Sequence, residues 1–230
     1  MTCEGRTDAT ACGNRSAQGI AAARRIETDG RLEPDVVRVV ANRPVLTGLL
    51  VTLLALTGFV AVFTYVAPML TTVSGFSPGW VSVALVGYGL GTVAGNVLAG
   101  RVPPAAILRV LPIPLAVLTL VLLTQGVLLR HQTTALVGLV LLGSATFVVV
   151  PLLQTWLMGQ VGQAAAGLVA AVNISVAGIA GALGAGLGGA VLAVGLGLVV
   201  IGPIAALPVL IATVVALGLR KGASRALCPR

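Results

Sequence analysis

From Pro44 to the last residue, Arg230, there is no aspartate and no glutamate. All six acids of the chain (Glu4, Asp8, Glu27, Asp29, Glu33 and Asp35) come before that point. A water-soluble domain spreads carboxylates over its surface. A sequence that is 57% hydrophobic and only 9% charged holds far more apolar side chain than one soluble core can enclose. The acid-free region divides instead into six apolar segments, at 45–70, 79–100, 106–129, 133–158, 164–194 and 196–219. Each is close to the roughly 20 residues that cross a bilayer as a helix. The expected fold is an all-α integral membrane protein with a six-helix transmembrane bundle over 44–219.

The flanks read differently. Residues 1–35 are polar and lack the apolar stretch of a secretory signal, so they are expected to form a disordered cytoplasmic lead. In 36–43, Val36, Val39 and Val40 fall on one helical face with Arg38 and Arg43 away from it, the pattern of a linker or a short interfacial helix. Residues 220–230 form a basic tail. Cys3, Cys12 and Cys228 lie outside the apolar runs without metal-binding spacing, and His131, beside Arg130, reads as a solvated residue at a helix end.

The basic residues supply the orientation. The net charge of +8 would suggest nucleic acid if it formed a patch on a soluble fold, but here the cations sit between apolar runs and stacking aromatics are scarce. With six spans both termini share a side, and every Lys and Arg of the chain falls on that side except Arg130. Positive charge accumulates on the cytoplasmic face, so both termini are expected to be cytoplasmic in a multi-pass protein of the cell membrane. A membrane-impermeant thiol reagent should then leave Cys3 and Cys228 unlabelled in intact cells and label them after permeabilisation. Labelling in intact cells would reverse the topology.

Within the spans, helical periodicity separates small and polar residues from bulky ones. In the second, Val83, Val86, Leu90, Val93 and Val97 share one flank, and Ala84, Tyr88, Gly91, Thr92, Gly95, Asn96 and Ala99 the other. In the fifth, Asn173, Ala177, Gly181, Gly184, Ala185 and Gly188 oppose Leu168, Val172, Val176, Ile179, Leu183 and Leu187. In the first, Thr57, Gly58, Ala61, Thr64, Tyr65 and Pro68 form a stripe, with Phe59, Val62, Phe63 and Val66 assigned to lipid. Small residues let helices approach closely in a bilayer, so Gly91, Gly95, Gly181, Gly184 and Gly188 are expected at helix contacts. Tyr65, Tyr88, Asn96, Gln154 and Asn173 are the candidates for a substrate path, and Gln125 belongs to the same polar set. An interhelical amide bond would use the same residue types.

Catalysis finds no carriers. The chain has no Ser-His-acid set, paired carboxylates, phosphate loop or metal cluster, so no catalytic residue, cofactor or metal is expected. "GYGLGTVAG" superficially matches a dinucleotide fingerprint, but its glycines have helix-packing spacing inside a span, with no acid downstream.

The ordered set "LLALTGFVAVFTYVAPMLTTVSGFS", "GYGLGTVAGNVLAGR", "VPLLQTWL" and "AAVNISVAGIAGALGAGLGGAVL" resembles the C-terminal six-helix half of a major facilitator superfamily permease. The nearest branch is that of drug-proton antiporters and arabinose-efflux-like permeases. The resemblance implies two six-helix bundles around a central site, alternating access, and efflux of small molecules. It also places Tyr65 and Pro68 ("FTYVAP"), Gln154 ("PLLQ") and Asn173 ("VNIS") on cavity-facing or partner-facing helices. After the second span Gly100 and Arg101 fit the family loop, but Pro103, Pro104 and Ala105 replace its Ala-Asp-Arg, which leaves Arg101 as a cytoplasmic anchor. Residues 1–43 are too short and too polar to replace six further spans, so the expected partners are the lipid bilayer, a small-molecule substrate, and a complementary half or second copy, with no nucleic acid. The alternative is a truncated, non-transporting fragment or a helix-packing subunit. Without an acid or histidine inside a span, the chain alone is not expected to couple transport to a proton gradient.

Overall fold

The structure, a computed structural model, describes residues 42–226, without the side chains of 163, 164 and 221–226. The expectations for the lead, for most of the 36–43 segment and for the three cysteines fall outside those residues. Six helices among the described residues are long and apolar enough to cross a membrane, and the protein is an all-α membrane bundle.

The first span (Arg43–Phe63) ends sooner than hydropathy alone implies. Pro68 has no N–H to offer the carbonyl of Thr64, and the chain turns at Thr64 and Tyr65 before one helical turn, Val66–Pro68. A π-helical turn, Met69–Val73, follows and closes through the Ser74 amide on the carbonyl of Met69 at 3.3 Å. The second span is one unbroken helix, Pro78–Gly100.

Prolines divide the third span (Pro104–Leu128) as well. Pro112 and Pro114 remove two helical donors, and a short helix, Ile107–Val110, joins the main one, Pro112–Leu128, through Leu111. The fourth span, Gln132–Gly159, carries Pro151 without a break, as bundles in lipid tolerate.

The fifth helix, Gln163–Ala193, stops at a defined cap. Gly195 has φ +79°, its amide donates to the carbonyl of Leu192 at 2.9 Å, and the Leu196 amide reaches back to Val191 at 3.3 Å. These are the two bonds of a Schellman cap, which favours glycine at the left-handed position. The break between fifth and sixth spans is therefore written in Gly195. The sixth helix runs Ile201–Ala226, so the start of the basic tail continues the span as helix.

The second span packs on the fourth, the fourth on the third, the third on the sixth, the sixth on the first and the first on the fifth. The first also touches the fourth, which places it centrally. Its most apolar stretch is 61% buried, against 22% for the second span and 17% for the fifth. This corrects the lipid face assigned to the first span: Phe59, Val62 and Val66 are buried. A helix with neighbours on several sides keeps little exposed flank, here Leu46 and Leu50 near its start, and periodicity cannot report how many neighbours a helix has. The assignment for the second span agrees with the structure, where Val83, Val86, Leu90, Val93 and Val97 are all exposed.

Burial in lipid gains little from hydrophobicity, since acyl chains are as apolar as leucine, so close packing and hydrogen bonds hold the spans together. Thr119 and Thr213 meet in the core across the third and sixth spans at 3.3 Å, and Ser74 donates to the carbonyl of Leu129 at 2.7 Å. Interhelical bonds of this kind contribute about 0.6 kcal/mol each.

Candidate functional site

The glycines of the second and fifth spans set how near the path candidates come to their neighbours. A Cβ on Gly91 would run into the backbone carbonyl of Val140, and one on Gly95 into that of Ser144. The fourth span returns the contact, since a Cβ on Gly143 would stand 2.7 Å from the carbonyl oxygen of Tyr88. The fifth span sits on the first in the same way: a Cβ on Gly184 would lie 2.6 Å from the carbonyl of Thr57, and one on Gly188 would strike the ring of Tyr65. Gly181 differs. A Cβ there meets nothing within 4 Å, because the contact face of the fifth helix passes through Ala180, Gly184 and Gly188.

Tyr65 stands where the first helix breaks, which frees its ring to lie across Gly188. Its hydroxyl donates to the carbonyl of Ala185 at 3.2 Å, so it fastens the first span to the fifth. Tyr88 fills a different gap. The backbones of the first and second spans barely meet, and aromatic rings bridge the space between them. The Tyr88 ring lies 4.9 Å from Phe63 and 6.4 Å from Phe59, and Phe59 and Phe63 stack at 5.3 Å. Periodicity placed Phe59 and Phe63 in lipid. The available signal was their i, i+4 spacing in a chain where aromatics make up only 3% of residues.

The remaining candidates do not converge. Asn96 lies two helical turns from Tyr88 on the same flank, is exposed, and donates to the carbonyl of Thr92 on its own helix at 3.2 Å. Gln154 is half-buried. Asn173 is buried, and its Oδ1 has no hydrogen-bond partner among the described residues. No hydrogen bond joins Asn96, Gln154 and Asn173 to one another. Arg101 caps the second span at its exposed C-terminal end, where a cation faces the negative end of the helix dipole.

Chemically, the interior offers aromatic faces, hydroxyls and amides, with cations only toward the helix ends. Such groups can stack on and hydrogen-bond an uncharged or aromatic solute. Charge inside the membrane would have to come from the solute or from another chain.

Comparison with known proteins gives the setting for these features. The chain is 35% identical over 136 residues to "Inner membrane transport protein YdhP" of Escherichia coli (strain K12), a match covering 59% of this chain and 35% of that protein. It is 30% identical over 148 residues to "Uncharacterized MFS-type transporter YtbD" of Bacillus subtilis (strain 168), covering 61% of this chain and 36% of the relative. A second Bacillus subtilis protein, "Uncharacterized MFS-type transporter YfhI", is 34% identical over 137 residues, covering 60% and 34%. The match spans about a third of the length of each curated relative. No family model and no solved structure matches the chain. A six-span all-helical chain with these relatives is a partial-length homologue of MFS-type transporters.

Proposed function

We propose that this chain forms one half of a secondary transporter, corresponding to the C-terminal six-helix bundle. It moves small molecules across the cell membrane by alternating access, most often outward, and works against a complementary six-helix half or a second copy of itself. The matches to transport proteins carry this reading. The burial pattern supports the side on which the partner docks. The second and fifth spans are the least covered, and Asn96 and Ser175 stand exposed on them. Polar side chains left facing acyl chains are unfavourable, so a partner bundle or a hydrated path belongs on that side.

On this reading Tyr88, Asn96, Gln154 and Asn173 contribute the path residues of one wall. The hydroxyl of Tyr65 works instead as a fastening between helices. Any proton-binding carboxylate is supplied from outside this bundle.

The test is flux in liposomes. The chain is reconstituted alone, and together with a complementary six-helix half cut from one of the matched transporters, then offered a panel of small aromatic and sugar-like compounds. Flux should appear only with the complement. Flux driven by a pH gradient in liposomes holding this polypeptide alone would refute the dependence on a partner, and an inert complemented pair would refute the assignment as a transporter half.

A further inference from the structure

Gln125 is the most fully buried amide in the described part of the bundle. It sits one turn before the end of the third helix, is 1% exposed, and neither Oε1 nor Nε2 has a hydrogen-bond partner among the described residues. Inside a membrane no bulk solvent reaches such a group, and a dry unpaired amide there is strongly unfavourable.

Its surroundings are built from glycine. Gly138 of the fourth span is a neighbour, since a Cβ there would stand 3.8 Å from Oε1 and 3.1 Å from Cδ1 of Leu128. Gly202 of the sixth presses on its stem, since a Cβ there would lie 2.8 Å from the Cβ of Gln125. The next residue, Gly126, faces the carbonyl of Val199, which would lie 3.3 Å from a Cβ at that position. That carbonyl is one the helix cannot satisfy in its usual way, because the residue four positions on is Pro203. A donor and an acceptor on Gln125 and, beside the next residue, the carbonyl of Val199 thus lie where the third, fourth and sixth spans meet.

We infer that Gln125 holds water inside the bundle. At least one molecule accepts from Nε2 and donates to a freed carbonyl, and Oε1 accepts from it or from a second water. Buried waters typically make about three hydrogen bonds to groups of this kind. This removes Gln125 from the substrate-path set and makes it the polar hub of the third, fourth and sixth spans. The inference stands apart from the transport reading, since it concerns the junction of the third, fourth and sixth spans and not the exposed faces of the second and fifth.

Radiolytic hydroxyl labelling in 18O-water tests it on the whole chain in lipid nanodiscs. Bound water delivers radical to adjacent side chains that bulk solvent cannot reach, so the fully buried Leu122, one turn before Gln125, should take up 18O. The label should fall to background in Gln125→Met. It should also fall in Gly138→Ala, where the new methyl occupies the space 3.8 Å from Oε1 without removing the amide, and this second variant covers a failure of the first to fold. Gln125→Met should also melt several degrees lower, because the water that satisfied Val199 is lost. No labelling of Leu122 in the wild type would overturn the inference whatever the melting temperatures do, as would a Gln125→Met variant that melts higher.

Discussion

Replacing Gly91 and Gly95 together by alanine should detach the second span from the fourth and abolish most of the folded protein. Each added methyl group would meet a backbone carbonyl, that of Val140 or of Ser144, and not the flexible end of a side chain. A backbone inside a helix cannot step aside alone, so the two helices must separate along the whole seam. Overpacking of this kind costs about 1–3 kcal/mol per site. Two sites on one seam approach the lower end of a domain's usual net stability of about 5–15 kcal/mol. The second span has little else to hold it, being largely uncovered on its other sides.

The matched control lies in the same helix. A Cβ on Gly89 or Gly100 meets nothing within 4 Å, so Gly89→Ala and Gly100→Ala should leave the melting temperature in detergent unchanged or slightly raised. Loss of the monodisperse peak on heating, followed by size-exclusion chromatography, measures all three variants. If the Gly91→Ala, Gly95→Ala pair melts with the wild type, the seam is not the close contact described above.

The second large effect is expected at Tyr88. Tyr88→Ala removes the ring that bridges the first and second spans through Phe63 and Phe59. Truncating a fully buried aromatic costs about 3–5 kcal/mol, and a half-buried one on the order of half that. Loss of the ring contacts adds roughly 0.5–1.5 kcal/mol. Tyr88→Phe keeps the stack and should match the wild type in melting temperature. In the complemented transporter, a path role for the hydroxyl predicts that Tyr88→Phe still changes the preference among substrates. Equal flux for every compound, with stability intact, would return Tyr88 to packing alone.

Much of this molecule could be read from its residues in order. Six runs without a carboxylate require six helices, because a bilayer leaves backbone groups no other way to be satisfied. Some of their ends are local events legible in the residues, although the break before Pro68 was read through as part of a 45–70 span. The Schellman cap at Gly195 and the split at Pro112 and Pro114 follow from glycine's access to positive φ and proline's missing donor. The exposed flank of the second span was legible too, since an edge helix with one large neighbour keeps one bulky face and one small one.

What only tertiary structure decided is how many neighbours each helix has and which groups they bring. The first span carries the same small-and-bulky alternation as the second, yet its central place buries Phe59 and Val62 on the face that periodicity gave to lipid. Gly181 and Gly184 belong to one wheel face, but only Gly184 meets a backbone. Gln125 and Asn96 have equivalent polar side chains, and one lies sealed among glycines while the other bonds its own helix at the surface. The sequence by itself determined that the chain spans a membrane six times and where local chemistry ends the helices, because hydropathy and backbone donors act within a few residues. Burial and close approach depend on atoms contributed by helices distant in sequence, and those were settled only when the helices met.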